Sequence, residues 1–160
     1  MKCHRSAACL AFALFAMLAM AATALAKDQV PFSGNLEGTV TRSGAPPVVT
    51  VNISGAGAAT QLGEFAVSIP HQVNIATRTA TGQYLFVAAN GDTLTATFIG
   101  QSEPTADPNV LYIEEVATIT GGTGRFAGAT GSFTAERLYD TVAGTTVGSF
   151  EGTISTPGSK

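Results

Sequence analysis

The fold prediction depends on the stretch ITGGTGRFAGATGSFT, residues 119–134. Its glycines fit either a nucleotide-binding loop before a helix or a tight turn between two strands. Residues 122–127 match the dinucleotide-binding pattern Gly-x-Gly-x-x-Ala and follow a strand-like run. That pattern holds a pyrophosphate only where a helix begins directly after the glycines, because the helix N-terminus supplies the N–H groups. Here Thr130, Gly131 and Thr134 disfavour a helix and continue an alternating strand pattern. We therefore predict a tight reversal between two strands, and no nucleotide site.

Six residues of this stretch form the predicted structural turn: Gly121, Gly122, Gly124, Phe126, Gly128 and Gly131. The first three glycines are predicted to take positive φ angles, which glycine adopts without a steric penalty. The aromatic ring is predicted to return to the interior, and the last two glycines to let the next strand bend.

Alternation of apolar and polar residues continues through most of the chain after residue 27, and no sustained helical pattern occurs there. We expect roughly eight or nine strands, spaced too closely for crossover helices, in an antiparallel sandwich or barrel. Asn90-Gly91 predicts a two-residue hairpin turn. Pro70 is expected to end a strand and to place His71 in a turn. A second turn is expected at Gly82, and an exposed loop over residues 102–109.

Two similar segments near the ends of this region favour the barrel. Leu36-Glu37-Gly38-Thr39-Val40 resembles Phe150-Glu151-Gly152-Thr153-Ile154. Pairing between the strands that carry them would close the sheet and remove its edges. Coincidence in a chain rich in glycine and threonine is the alternative explanation.

The first 26 residues have the order of a secretory signal peptide. A short basic segment precedes an uncharged run over residues 9–22, and Ala24-Leu25-Ala26 provides a cleavage signal. An uncleaved anchor is the alternative. We thus expect a helical signal peptide at 1–26, a single domain at 27–160, and a secreted or periplasmic location. Cys3 and Cys9 would be removed with the signal, so no disulfide is expected.

Charge restricts the partners of the mature chain. The sequence carries 8 basic and 11 acidic residues, and removing Lys2 and Arg5 changes its formal charge from −3 to −5. A sparsely charged, mildly acidic surface without a basic run argues against binding to nucleic acid or to anionic membranes. His71 is the only histidine after residue 26, so we predict no metal site and no cofactor.

Three residues are candidates for a catalytic role: Glu114, Glu115 and Arg137. Adjacent residues of a strand point to opposite faces, so one of the two glutamates faces the interior and the other faces solvent. Arg137 lies on an apolar face of a later strand, where it can neutralise a buried carboxylate. Such a pair has either a structural role or a catalytic one. Glu37 and Glu151 lie opposite the apolar residues of their strands and are expected to be exposed.

The glycine-rich stretch, with the spacing Ile119-Thr120-Gly121-Gly122-Thr123-Gly124-x-Phe126-x-Gly128-Ala129-x-Gly131, resembles the late β-hairpin motif of the allene oxide cyclase barrel family. Dirigent proteins share that architecture with a looser motif, and the rest of the chain resembles small exported bacterial relatives. The resemblance implies an eight-stranded antiparallel barrel with an apolar cavity. Members of these families cyclise an unstable fatty-acid epoxide or orient phenoxy radicals, and they often form trimers. The resemblance is carried by a turn motif and does not extend, residue by residue, to the carboxylate and polar groups at the cavity floor of the plant cyclases.

We therefore expect an exported small barrel that holds a small apolar ligand. A cyclase or isomerase acting on a reactive apolar intermediate is one alternative, and a structural or surface-interaction protein with a filled barrel is another. The size of the interior space distinguishes the filled barrel from the other two.

Overall fold

The structure is a computed structural model that describes residues 28–155 and residue 157. Within these residues the chain forms a closed barrel of eight antiparallel strands. The strands are β1 (Gln29–Ser43), β2 (Val48–Ala59), β3 (Gly63–Asn74), β4 (Thr79–Ala88), β5 (Thr93–Pro104), β6 (Val110–Gly122), β7 (Gly131–Asp140) and β8 (Thr145–Ser155). The predicted fold class is confirmed for this region. The predicted signal peptide and its helix lie outside the described residues.

Each strand pairs with the next one along the chain, and β8 returns to pair with β1. Gly34 lies opposite Phe150 and Leu36 lies opposite Gly148 in this last pairing. The strands that carry the two similar end segments therefore pair as predicted. Closure satisfies the backbone groups that an open sheet would leave at its edges. In the same described region, no helix is long and apolar enough to cross a membrane.

The loops divide the barrel into two ends. One end, called here the mouth, carries the loops over residues 44–47, 75–78, 105–109 and 141–144. The opposite end carries the loops over residues 60–62, 89–92 and 123–130, together with the start of β1 and the end of β8.

Aromatic side chains fill the half of the barrel that lies away from the mouth. Seven rings there, called the aromatic plug, contact one another: Phe32, Phe65, Tyr84, Phe86, Phe98, Phe133 and Phe150. Their centroid separations range from 5.0 Å to 6.4 Å, mostly in tilted or edge-to-face arrangements, which favour aromatic packing. The rings belong to one continuous hydrophobic core.

The glycine-rich stretch reverses the chain between β6 and β7, as predicted. A single 3₁₀ turn over Gly124–Phe126 replaces the helix that a dinucleotide site would need. Gly121, Gly124, Gly128 and Gly131 all have positive φ angles, and the Phe126 side chain is fully buried.

Gly122 differs from its neighbours, and the prediction of a positive φ at this position is wrong. A Cβ at Gly122 would collide with the Thr93 carbonyl oxygen on the adjacent strand. Glycine is required here because two backbones approach closely, and not because of its left-handed conformation.

The prediction that Pro70 ends a strand and leaves His71 in a turn is also wrong. β3 continues through both residues to Asn74, and His71 is buried. The proline is tolerated because the β3–β4 ladder is interrupted there, with Ser68 paired to Leu85 and His71 paired to Gly82 and no pairs between them. Its missing N–H therefore falls at a gap in the ladder.

Two further boundaries differ from the prediction. Gly82 lies within β4, and the turn occurs earlier, where Arg78 has a φ of 58°. β5 extends to Pro104, so the exposed loop is limited to residues 105–109. A turn does occur at Asn90-Gly91, with a φ of 86° at Gly91, but the prediction of a two-residue connection is wrong, because residues 89–92 all lie between β4 and β5.

Candidate functional site

The mouth half of the barrel encloses a cavity of about 350 Å³. Aliphatic side chains form most of its wall, including Val49, Val51, Ile53, Val73, Leu111 and Ile113. His71, Glu115 and Arg137 line it farthest from the mouth, while Arg42 and Arg78 lie near the opening. The cavity thus has an apolar wall, a polar floor and a cationic rim.

Glu115 on β6 and Arg137 on β7 form a buried ion pair at this floor. Arg137 Nη2 lies 2.5 Å from Glu115 Oε1, and Arg137 Nε donates to Glu115 Oε2 at 3.3 Å. The Glu115 side chain is 1% exposed and the Arg137 side chain is 3% exposed. The residues are diagonal neighbours, because Glu115 lies directly opposite Ala135 and Arg137 lies directly opposite Ile113. Such a two-point contact orients both groups firmly.

The hydroxyl groups of Tyr84 and Thr146 bind to this ion pair. The four residues Tyr84, Glu115, Arg137 and Thr146 are called here the polar layer. The fully buried Tyr84 hydroxyl donates to Glu115 Oε2. Arg137 Nη1 donates to Thr146 Oγ1 at 3.1 Å, and that hydroxyl donates in turn to the Leu138 carbonyl at 2.9 Å. Among the described residues, no fully buried side-chain nitrogen or oxygen lacks a hydrogen-bond partner. The layer is therefore satisfied internally.

Burial and charge set the protonation of this layer. Burial, followed by the Glu115 carboxylate, raises the pKa of Tyr84 well above its usual value, so its hydroxyl stays a donor. Burial alone would lower the pKa of Arg137, but Glu115 and Tyr84 outweigh it and raise that pKa. Arg137 consequently stays charged throughout the physiological range.

Glycines on neighbouring strands make room for the polar interior. Three large polar side chains each lie opposite a glycine: His71 opposite Gly82, Glu115 opposite Gly100, and Arg137 opposite Gly148. A Cβ at Gly100 would lie 2.7 Å from Glu115 Cγ. A Cβ at Gly148 would lie 2.5 Å from Arg137 Cγ. Both distances are below ordinary van der Waals contact, so these glycines are space requirements of the floor.

His71 lies at the edge of this floor, on β3. Its Nδ1 is 2.8 Å from the Ile69 carbonyl oxygen, and its ring packs against Phe98 with centroids 5.7 Å apart. Burial lowers the pKa of His71, and this effect exceeds the opposing influence of the Ile69 hydrogen bond and of Glu115. The imidazole is therefore neutral at pH 7.

The structure separates the three residues that the sequence identified as candidates. Glu115 and Arg137 meet at the cavity floor, as expected for an interior pair. Glu114 is exposed on the outer surface, where it lies opposite Glu136, so it does not reach the cavity. Glu37 and Glu151 are exposed, as predicted. A catalytic role for Glu115 and Arg137 stays a prediction.

Sequence reasoning missed Tyr84 and Thr146 and misplaced His71. Tyr84 alternates in phase with Phe86 and Ala88, both buried, and this pattern could have identified it as an inward residue. Nothing in the sequence indicated its partner, since 31 positions separate Tyr84 from Glu115. Within residues 28–155 and 157, no group of three or more His, Cys, Asp or Glu side chains could hold a metal ion.

Comparison with known proteins identifies the architecture. No family model matches the sequence, and no curated protein matches it. A solved structure, that of the pterocarpan synthase dirigent protein GePTS1, is similar with a TM-score of 0.54 and 13% sequence identity. The similarity covers 88% of this chain and 97% of that one. It shows that this barrel has a dirigent-like fold, which agrees with one part of the predicted resemblance.

Proposed function

We propose that this protein binds a small, largely apolar molecule in the cavity of the mouth half. The observation that carries the proposal is the unequal filling of the barrel. An eight-stranded barrel is narrow enough for side chains to fill completely, and the aromatic plug does so in one half only. The cavity of about 350 Å³ in the other half lies within the range of about 300–1,000 Å³ typical of ligand sites.

The electrostatics of the floor favour a neutral inner end of the ligand. Glu115 and Arg137 neutralise each other, and their hydrogen-bonding groups are directed at one another, at Tyr84 and at Thr146. An additional ion placed against this pair would lose its hydration without gaining a free counter-charge. An apolar body gains from burial against the aliphatic wall. Arg42 and Arg78 are exposed at the rim, where a polar outer end of the ligand can remain in water.

The alternative of a filled, purely structural barrel is less well supported. It accounts for the aromatic plug, but it leaves the open mouth half without a role. It also leaves the lining of that half, with its buried polar layer, unexplained.

A cavity block tests the binding function. Val51 lines the cavity, whereas Val87 points outward from β4 and is 37% exposed. Binding of the neutral fluorescent probe N-phenyl-1-naphthylamine is measured for the wild-type protein and for Val51→Trp and Val87→Trp. We expect saturable binding to the wild type and to Val87→Trp, and an affinity at least about tenfold lower for Val51→Trp. Absence of saturable binding to the wild type, or equal binding by Val51→Trp, would overturn the proposal.

A second candidate is guidance of a reactive apolar intermediate, as in a cyclase or isomerase. The dirigent-like fold favours it, together with the position of Glu115 and Arg137 at the cavity floor. Its test is the ratio of enantiomers formed from an unstable fatty-acid epoxide that cyclises spontaneously. An excess of one enantiomer in the presence of the protein supports guidance, provided that Glu114→Gln retains the excess and Glu115→Gln loses it. A racemic product at saturating protein concentration rejects it.

We also propose that the chain is exported. The basic segment, the uncharged run and the Ala24-Leu25-Ala26 sequence support this proposal. Expression in a bacterium, followed by fractionation and N-terminal sequencing, tests it. Export predicts a mature protein that begins at Lys27 outside the cytoplasm, and a cytoplasmic product that retains Met1 contradicts it.

A further inference from the structure

We infer that His71 determines the specificity of the cavity by accepting a hydrogen bond at Nε2, so that the preferred ligand carries an O–H or N–H donor at its inner end. This inference rests on the proposed binding function and goes further by naming the recognising atom and the ligand chemistry. Apolar molecules without a donor are then weaker ligands of the same cavity.

The tautomer of His71 follows from its backbone partner. Nδ1 lies 2.8 Å from the Ile69 carbonyl oxygen, and a carbonyl oxygen can only accept a hydrogen bond. Nδ1 must therefore carry the proton. In a neutral imidazole this leaves Nε2 unprotonated, with a lone pair directed away from the ring.

Nε2 is accessible from the cavity. It has no hydrogen-bond partner among the described residues, although the His71 side chain is only 9% exposed. Every fully enclosed side-chain nitrogen or oxygen in the described region does have a partner. Nε2 is consequently not fully enclosed, and the open space that His71 lines is the cavity.

The other polar groups of the floor are already engaged. Glu115 accepts hydrogen bonds from Tyr84 and from two nitrogens of Arg137. Arg137 also donates to Thr146, whose hydroxyl donates to a backbone carbonyl. Of the polar acceptors at the floor, His71 Nε2 is thus the one without any hydrogen-bond partner among the described residues.

The surroundings keep this acceptor unprotonated. The charged groups that act on His71 are Glu115 on β6 and Arg137 on β7, and these two form a neutral pair. The facing residues on β2 and β5, Val51 and Phe98, carry no charge. Burial further lowers the pKa of His71. A ligand donor is therefore favoured over a ligand acceptor at neutral pH.

Three matched probes test the inference on the wild-type protein: naphthalene, 2-methoxynaphthalene and 2-naphthol. All three present the same apolar body, but only 2-naphthol carries a donor. We expect all three to bind, with 2-naphthol about three- to tenfold tighter than the ether at pH 7.5, the effect of one net hydrogen bond. The ¹⁵N signal of His71 Nε2 should shift with 2-naphthol and stay in place with the ether.

Variants assign the preference to one atom. His71→Phe keeps an aromatic ring against Phe98, and we expect it to bind naphthalene while losing the preference for 2-naphthol. Gln101→Leu, which changes a polar group at the rim, should retain the preference. Binding of all three probes without preference, or a preference that survives His71→Phe, would overturn the inference and leave the proposed function intact. If none of the three probes binds the wild-type protein, the proposed function fails as well.

Discussion

Arg137 and Glu115 lie on adjacent strands, two positions out of direct register, and their side chains meet with Nη2 and Oε1 2.5 Å apart inside the barrel. This contact marks the boundary between the aromatic plug and the open half. Below it, aromatic rings pack against one another, and above it, aliphatic side chains surround a cavity. The pair therefore limits how deeply a ligand can enter.

The buried pair should show strong coupling between its two members. Glu115→Leu leaves the Arg137 charge buried without a counter-ion, and Arg137→Met leaves the Glu115 carboxylate in the same state. Each single change should lower the free energy of unfolding by about 3–5 kcal/mol. The double variant should lose clearly less than the sum of the two single losses, because no unpaired charge remains and the main residual cost is the Tyr84 hydroxyl that loses its acceptor.

Urea denaturation measures all three variants. Glu114→Leu, on the outer face of the same strand, is the matched control and should change the free energy of unfolding by no more than about 0.5 kcal/mol. Additive losses in the double variant would show that the two side chains do not interact as the structure indicates.

His71 should make stability depend on pH in a defined direction. Burial lowers its pKa in the folded protein below the value of about 6.5 expected in the unfolded chain. Below pH 6.5 the unfolded chain therefore binds more protons at this site, and the free energy of unfolding decreases until the folded pKa is passed. Above pH 6.5 the imidazole is neutral in both the folded and the unfolded chain, so the full stability of the folded protein is kept.

The measurement is the free energy of unfolding of the wild type relative to that of His71→Phe, between about pH 5 and pH 7.5. As the pH falls, the wild type should become less stable relative to His71→Phe. The carboxylates titrate alike in both proteins and therefore cancel in this difference. A difference that is constant with pH, or that shifts in favour of the wild type in acid, would contradict a buried neutral imidazole.

Gly100 gives a prediction in which two effects have opposite signs. A glycine in a strand normally weakens it, so its replacement by alanine would stabilise the protein by about 0.5–1 kcal/mol. In this barrel the new Cβ would lie 2.7 Å from Glu115 Cγ and 3.2 Å from the Glu114 carbonyl oxygen. Gly100→Ala should therefore destabilise the protein by about 1–3 kcal/mol. A stabilised variant in urea denaturation would show that this glycine is not needed to accommodate Glu115.

Local patterns in the sequence were sufficient to predict much of the fold. Period-two alternation determines which side chains of a strand face inward, and it predicted that one of Glu114 and Glu115 lies inside; the structure shows that this is Glu115, in phase with Ala117 and Ile119. The glycine-rich reversal between β6 and β7 and the presence of a turn at Asn90-Gly91 were likewise predictable, because both depend on neighbouring residues.

The parts that escaped prediction depend on strand register. Gly82, Gly100 and Gly148 look like ordinary strand or turn glycines until pairing places each one beside a large polar side chain. Pro70 is a strand breaker by local rules, and it is tolerated only because of a gap in one ladder. Which half of the barrel is open depends on the combined volumes of residues from all the strands, and no local pattern determines that sum.

Methyl NMR on the wild-type protein tests the central claim, that the mouth half of the barrel is a ligand cavity closed below by the polar layer. The protein is titrated with 2-naphthol, and chemical shifts are followed for methyl groups in three places. We predict saturable shifts for Val51, Ile53 and Ile113 in the cavity wall. Leu94 and Ile154 in the packed half, and Ile99 and Val116 on the outer surface, should stay unchanged. Shifts confined to the outer surface or to the packed half, or no shifts at all, would contradict it.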